Sequence, residues 1–499
     1  MQPFLFYIRN LAELTQPVLM ALFSGKSVKK ITRKLGDSAN ELFNRSLDKH
    51  VSLAVTGLSQ SGKTAFITSV VNQLINEGSG QPLAFFDVVH QGRFIGAKRV
   101  RQKHLHIPRF DYEAAMANLS SEEPMWPDAT RSISELRLAM RYYPNEGMLK
   151  YATDMATVYL DITDYPGEWL LDLPMLELDF QQWSEQMKEL LFAEPRYQLS
   201  QEFLQKLEQL DPFAPVDEKV LAALSAEYTQ LLHKFRYQLG MSVIQPGRFI
   251  LPGEHEGAPI LQFVPFVHFE QLDMAKYRSA DQDSMIGMLR ARYLEYRERI
   301  VRRFYKKHFA RFDRQIILID TLTPLNNGSD AFNDLQHAIS LIMESFSYGQ
   351  SSLLSRLFSP KIDKLMFAAT KADHITADQH SRLLSLLEQV VHKAKKTLSF
   401  DAIKMKSLAI ASVKTTEQGK SEYQGQQLSV VKGKRADTGQ VITLYPGAVP
   451  TKLPDANNWP DKGFNFIAFK PITAADEHIA LAHIRLDQVL QFLLGDKLK

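Results

Sequence analysis

One stretch constrains this chain more than any other: VSLAVTGLSQSGKTAFITSVVNQLI, from Val51 to Ile75. A short apolar run leads into a glycine-bearing loop. Helix formers follow, with apolar residues at Phe66, Val70, Val71 and Leu74. That order is strand, loop, helix, the opening of an α/β unit. Gly57 to Thr64 matches G-x-x-x-x-G-K-T in full. Glycines there let the backbone wrap closely and turn its amides inward on phosphate oxygens. Lys63 supplies a point charge for β- and γ-phosphates, the Thr64 hydroxyl a Mg²⁺ ligand, and the following helix its positive end. Ser59, Gln60, Ser61, Gly62, Lys63, Thr64 and Ala65 are therefore the expected phosphate-binding residues.

Two further signatures follow. LDITDYPGEW (160–169) ends an apolar run at Asp164-Tyr165-Pro166-Gly167, which has the D-x-x-G form. In that form the aspartate holds Mg²⁺ through water and the glycine amide senses a γ-phosphate. Thr370-Lys371-Ala372-Asp373 follows LMFAA and has the [NT]-K-x-D form. One carboxylate can accept from both N1–H and N2–H₂ of guanine, whereas adenine N1 is an acceptor that Asp373 would repel. Lys371 would lay its stem over the base, and Thr370 stands where Asn is commoner. Ser412 and Val413, after the next apolar run, are the candidates for a weak base contact.

A threonine that senses Mg²⁺ and γ-phosphate belongs just ahead of the strand preceding D-x-x-G. Thr130 has that place, with Ser132 and Ser134 near it. Glu168 follows Gly167, at the position of a water-orienting residue. A carboxylate there could orient water or accept its proton, yet it repels a γ-phosphate, so slow intrinsic hydrolysis is expected. The expected catalytic set is Lys63, Glu168 and Thr130, and the expected metal set is Thr64, Thr130 and Asp164.

Strand-like runs at 132–143 and 155–164 read as two strands joined by a turn around Pro144, Asn145 and Gly147, and runs at 315–320, 364–370 and 408–413 alternate with helical patterns, which predicts a mainly parallel sheet. Residues 82–130 read as a long loop and FNFIAF (464–469) as a last strand. The closing IRLDQVLQFLLGDKL reads as a helix, and Leu-, Gln-, Glu- and Tyr-rich residues 171–313 read as an inserted helical block. Charge is nearly balanced, 59 basic against 56 acidic residues, so composition gives no case for nucleic acid as main partner. With no cysteine, disulfides, thiolate metal sites and cysteine nucleophiles are excluded. His104, His106, His255 and His268 lack metal spacing. The first 25 residues are apolar but interrupted by Arg9, Glu13 and Pro17, and their basic cluster comes after them. A packed N-terminal helix is the first reading, a membrane-surface anchor the second and a cleaved signal the third. Residues 290–311 carry nine Arg or Lys with Tyr293, Tyr296, Ile300, Phe304 and Phe309 interleaved, the pattern of an amphipathic helix with a basic face.

LAVTGLSQSGKTAFITSVVNQL, LDITDYPGEWLLDLPML, PGRFILPG, FAATKADHITADQH and HIRLDQVLQFLLGDKL together resemble the YcjX-like family of P-loop GTPases, from about residue 46 to the C-terminus. The resemblance implies an α/β P-loop NTPase fold, a Ras-like G domain with a helical insertion. It also implies GTP/GDP binding and a bacterial stress connection. The expected layout is an extension at 1–45 and G-domain parts at 46–170, 314–418 and 463–499. A helical insertion is expected at 171–313 and a β-rich insertion at 419–462. Switch segments are expected near 85–131 and 164–175. The expected partners are guanine nucleotide and an unidentified protein. A cytoplasmic setting is expected, with peripheral contact at the inner membrane as the alternative. A P-loop kinase or ATPase is disfavoured because Asp373 would have no adenine partner, and a nucleotide-bound scaffold with incidental hydrolysis is the competing reading.

Overall fold

The computed structural model describes residues 49–499 apart from 59, 80–82, 148, 345, 347–361, 399–402, 455–458, 461–462 and 473–477. The readings made for residues 1–45 and for Ser59 lie outside the described residues. Strand β1 (Lys49–Gly57) enters the phosphate loop and helix α1 (Lys63–Ile75) leaves it. Residues 82–130 are not one loop. They hold strand β2 (Phe94–Val100) and helix α2 (Tyr112–Ser120), whose N-terminus is capped by Asp111 accepting from the Ala114 amide at 3.0 Å. β2 escapes a sequence reading because it is a sheet edge, with no fully buried residue and so no apolar alternation. Next come β3 (Ser134–Tyr142) and β4 (Ala156–Asp164).

The helical block follows with α3 (Phe180–Phe192), α4 (Arg196–Glu208), α5 (Glu218–Tyr237) and α6 (Met285–Glu295). A wider turn at 296–301 and a short helix at 302–307 continue α6. Tyr293, Tyr296, Ile300, Phe304 and Phe309 are buried, as the amphipathic pattern predicts. Much of the basic charge is met internally: Arg292 pairs with Glu218, Arg299 with Glu295, and Arg302 with Glu298. Arg290 donates to the Tyr277 and Ala280 carbonyls.

The chain returns through β5 (Arg314–Ile319), α7 (Ser329–Glu344), β6 (Lys364–Ala369), α8 (His380–Leu398) and β7 (Lys404–Ala409). β7 begins earlier than LAIASV suggests, on KMK, because an edge strand tolerates lysines; residues 410–413 leave the sheet. A separate three-stranded antiparallel sheet comprises β8 (Thr416–Tyr423), β9 (Gln426–Lys434) and β10 (Val441–Leu444). FNFIAF is not a strand; only Phe469 bridges, to Arg435. Helix α9 (Leu486–Leu494) closes the fold.

The main sheet has the order β2-β3-β4-β1-β5-β6-β7. β4, β1, β5, β6 and β7 run parallel, while β2 and β3 are antiparallel additions on one side. Register decides what meets. Val55 pairs with Asp164 and Gly57 with Leu318, so β1, β4 and β5 end level. Ile319 pairs with Ala369 and Ala369 with Ala409, which puts the next two loops on the same carboxyl edge, where open α/β sheets bind ligands. Because β3 is antiparallel, its first residue Ser134 lies opposite Asp164, and the chain just before it arrives at that edge too.

Helices cover both faces. One core joins β-strand residues Val51, Leu53 and Val55 to Phe66, Val70 and Leu74 of α1, Met116 of α2 and Leu490 of α9. The other runs without interruption from Ile317, Ile319 and Phe367 through α7 and α8 into Trp183, Tyr228, Phe263 and Tyr293 of the helical block. The block therefore shares a core with one sheet face. Among the described residues no helix is long and apolar enough to cross a membrane.

Candidate functional site: a phosphate and base cleft

The phosphate loop turns through two left-handed residues, Gln60 (φ 59°) and Gly62 (φ 83°). Glycine makes the second turn without the steric cost an L side chain would meet. At Gly57 the reason is space instead: a Cβ there would meet Ser61 Oγ at 2.3 Å and the Leu318 carbonyl at 2.5 Å. Lys63 is buried, and its Nζ donates to the Gly57 carbonyl at 2.9 Å, curled back over the loop it serves.

The three expected metal residues come together. Thr64 Oγ1 donates to the Asp128 carbonyl at 2.8 Å and lies 3.5 Å from Thr130 Oγ1. Thr130 Oγ1 donates to Asp164 Oδ2 at 2.7 Å. Asp164 Oδ1 is buried with no hydrogen-bond partner among the described residues. Burial pushes the Asp164 carboxyl up to about 6, against the pull of the Lys63 charge and the Thr130 hydroxyl. Two hydroxyls and a carboxylate with an unused oxygen form a hard-cation donor set, and Mg²⁺ fits it as an ion that completes its shell with water and substrate phosphate. No group of three or more His, Asp or Glu that could hold a metal ion converges among the described residues.

Gly167 packs on the loop's first residue: a Cβ would stand 2.4 Å from the Gly57 carbonyl oxygen. Glu168 is buried beside it, and its Oε1 is 2.9 Å from Nη2 of Arg236, at the end of α5. The expected water-orienting carboxylate is thus engaged by a cation from the helical block. PGRFILPG grips the same turn. The Gly247 amide donates to Asp172 Oδ1 at 2.7 Å, Tyr296 donates to Asp172 Oδ2, and the Arg248 guanidinium lies 3.2 Å from the centre of the Trp169 ring.

The expected base end is built from the loops after β6 and β7. Thr370 continues the β6 register by donating its amide to the Ile319 carbonyl at 3.0 Å, while its buried hydroxyl has no partner among the described residues. Lys371 takes a left-handed conformation (φ 61°), and its Nζ pairs with Asp320 Oδ2 at 2.5 Å. Burial raises the Asp320 carboxyl, but Lys371 and the Thr323 donors outweigh it and hold the group below its usual range. Asp373 is buried, and Thr415 donates both its amide, at 2.7 Å, and its hydroxyl to Oδ2. Neither bond uses Oδ1. Ser412 contributes differently: its carbonyl accepts from Ser69 Oγ at 2.5 Å and ties this loop to α1, while Val413 is buried beneath.

A cavity of about 380 Å³ joins the two ends, of a size that suits a small ligand. Gln60 to Ala65, Thr130, Glu168, Thr370, Lys371, Asp373, Ser412 and Val413 all line it. So do four residues with aromatic or charged side chains that sequence reasoning did not single out: Trp126, Arg236, His374 and Phe469. Trp126 Nε1 donates to the Phe469 carbonyl at 3.1 Å, and His374 meets the Phe469 ring edge-on at 5.2 Å. Thr415 was also missed; its only signal is its place three residues beyond Ser412.

A phosphate loop, a D-x-x-G turn and a T-K-x-D loop on the carboxyl edge of one mostly parallel sheet define the class: a P-loop protein with a Ras-like G-domain architecture. Residues 51–498 match the YcjX-like family, DUF463, and the chain belongs to that family. It is 48% identical over 467 residues to a protein of Escherichia coli (strain K12) named Ras-like GTPase YcjX, covering 94% of this chain and all of that one. It is 44% identical over 486 residues to the Shewanella oneidensis protein of the same name, covering 95% and 99%.

Proposed function

We propose that the chain binds GTP and GDP in this cleft and, with Mg²⁺, hydrolyses GTP to GDP and phosphate slowly, acting as a regulatory switch. One observation supports the reading: the expected residues Gln60 to Ala65 of the phosphate loop, Glu168 next to D-x-x-G, and Thr370, Lys371 and Asp373 of T-K-x-D, with Thr130, Ser412 and Val413, come from five separated segments and line a single cavity. The names of the relatives support the same class of activity. Loop amides from Gln60 to Ala65 cradle the phosphates, and Lys63 exchanges the Gly57 carbonyl for β- and γ-phosphate oxygens. Thr64, Thr130 and Asp164 would hold Mg²⁺, which neutralises charge between those phosphates when bound. Asp373, held by Thr415, accepts from N1–H and N2–H₂ of guanine, and Lys371 covers the base. The Gly167 amide reads the γ-phosphate, with 85–131 and 164–175 as the segments that respond. The bacterial stress role implied by the family resemblance, and an unidentified protein partner, belong to this switch reading.

Titration of the full chain with fluorescent GDP and GTP, competed by ATP, tests it alongside phosphate release with and without Mg²⁺. Guanine selectivity lost in Asp373→Ala and Mg²⁺-dependent release are expected. Preference for ATP that survives Asp373→Ala would overturn the base assignment.

A further inference from the structure

Arg236 is mostly covered, with its side chain 11% exposed, yet it is poorly satisfied. Nη2 pairs with Glu168, while Nε and Nη1 are buried with no hydrogen-bond partner among the described residues. Buried guanidinium nitrogens are ordinarily hydrogen-bonded, so orphaned ones point to a partner that the protein itself does not supply. Arg236 lines the cleft with Gln60, Ser61, Gly62, Lys63 and Thr64, on the side of the D-x-x-G turn. A planar fork of donors facing a phosphate loop matches phosphoryl oxygens better than any other side chain.

We propose that Arg236 is a catalytic residue of GTP hydrolysis, supplied in cis by helix α5, and that Glu168 holds it in reserve until the γ-phosphate arrives. The inference rests on the GTP-hydrolysis reading above. In that reaction the water oxygen forms a bond to Pγ as the bond from Pγ to the β–γ bridging oxygen breaks. The bonding pair stays on that oxygen, which leaves with GDP, and the water proton passes to the phosphate product or solvent. Negative charge grows on the leaving oxygen and persists on the γ-oxygens, where Arg236 offsets it. Glu168 is placed to couple the two states. It adjoins Gly167, which abuts Gly57, so a shift of the turn on γ-phosphate binding moves Oε1 away from Nη2 and frees the fork.

Single-turnover GTP cleavage by the full chain with Mg²⁺ tests this in wild type, Arg236→Ala and Arg236→Lys. Both Arg236 variants are expected to cleave about 10³-fold more slowly, the lower end of what such an arginine contributes, with GDP affinity within about threefold of wild type. Arg236→Lys keeps the ion pair with Glu168 but loses the fork, so it separates catalysis from folding. A second readout is independent of turnover: with GDP, Mg²⁺ and aluminium fluoride, wild type should retain GDP on dilution and both Arg236 variants should release it. Cleavage and retention by Arg236→Lys at wild-type levels would overturn the inference alone. A wild-type chain that binds GTP and never cleaves it would overturn the proposed hydrolysis, and this inference with it.

Discussion

Asp172 offers a sharp test of how the D-x-x-G turn is held to the helical block. Its side chain is 1% exposed, with the Gly247 amide on one oxygen and the Tyr296 hydroxyl on the other. Burial pushes its carboxyl up to about 7, although the Tyr296 and Gly247 donors and the Arg248 charge pull it back. The unfolded chain ionises it near 3.8. Below about 4 both states carry the proton; between about 4 and 7 only the folded state does, so stability falls as pH rises through that window. The whole loss is a shift of about three units at 1.36 kcal/mol each, or ~4 kcal/mol, complete above about pH 7. Asp172→Asn imitates the neutral form: Oδ1 can accept from Gly247 and Nδ2 can face the Tyr296 oxygen. Its gain over wild type at pH 8 should exceed its gain at pH 5 by about 2–3 kcal/mol, the portion of the shift lying between those values. That double difference cancels any constant cost of seating the amide. Urea unfolding of both proteins at the two pH values, nucleotide-free in chelator and followed by tryptophan fluorescence, measures it. A difference independent of pH, or larger at pH 5, would refute the reasoning.

Two other substitutions probe the cleft. Thr415→Ala removes the hydroxyl bond to Asp373 while leaving the amide bond. A bond to a charged group contributes about 1.5–3 kcal/mol, so GDP should bind roughly 10–100-fold more weakly by fluorescence titration, while affinity for inorganic triphosphate stays unchanged. Gly167→Ala forces a methyl against the Gly57 carbonyl, backbone that cannot yield. It should cost about 1–3 kcal/mol in urea melts and weaken nucleotide binding, and wild-type values of both would sink the packing argument.

The three contiguous signatures were legible because each is a local demand. A loop that wraps phosphate needs glycines at Gly57 and Gly62, and the strand before and helix after it can be read from apolar spacing alone. D-x-x-G and T-K-x-D likewise place acid, cation and glycine within four residues. Thr130 was suggested only by position, and the antiparallel register of β3 explains how it reaches Asp164: Ser134 opposes Asp164 and the chain before it arrives at the same carboxyl edge. β2 was illegible because both its faces meet solvent to some degree, and FNFIAF misled because apolar alternation also suits an irregular extended segment that buries Phe466 and Phe469.

By itself, then, the chain's sequence determined the fold class and the expected chemistry of the cleft: which residues would suit phosphate, magnesium and guanine, and that an α/β sheet presents them. Tertiary structure alone decided the surroundings of that chemistry. Arg236 reaches Glu168 because the helical block shares a core with one sheet face. Thr415 reaches Asp373 because β6 and β7 are neighbours, and Phe469 meets Trp126 only after the whole chain has wound back. The reason is physical. Backbone conformation and phosphate contacts are set over a few residues, whereas an ion pair or a ring contact needs only proximity in space. Proximity between distant segments is set by strand order and by which apolar faces find each other, and no single segment carries that information.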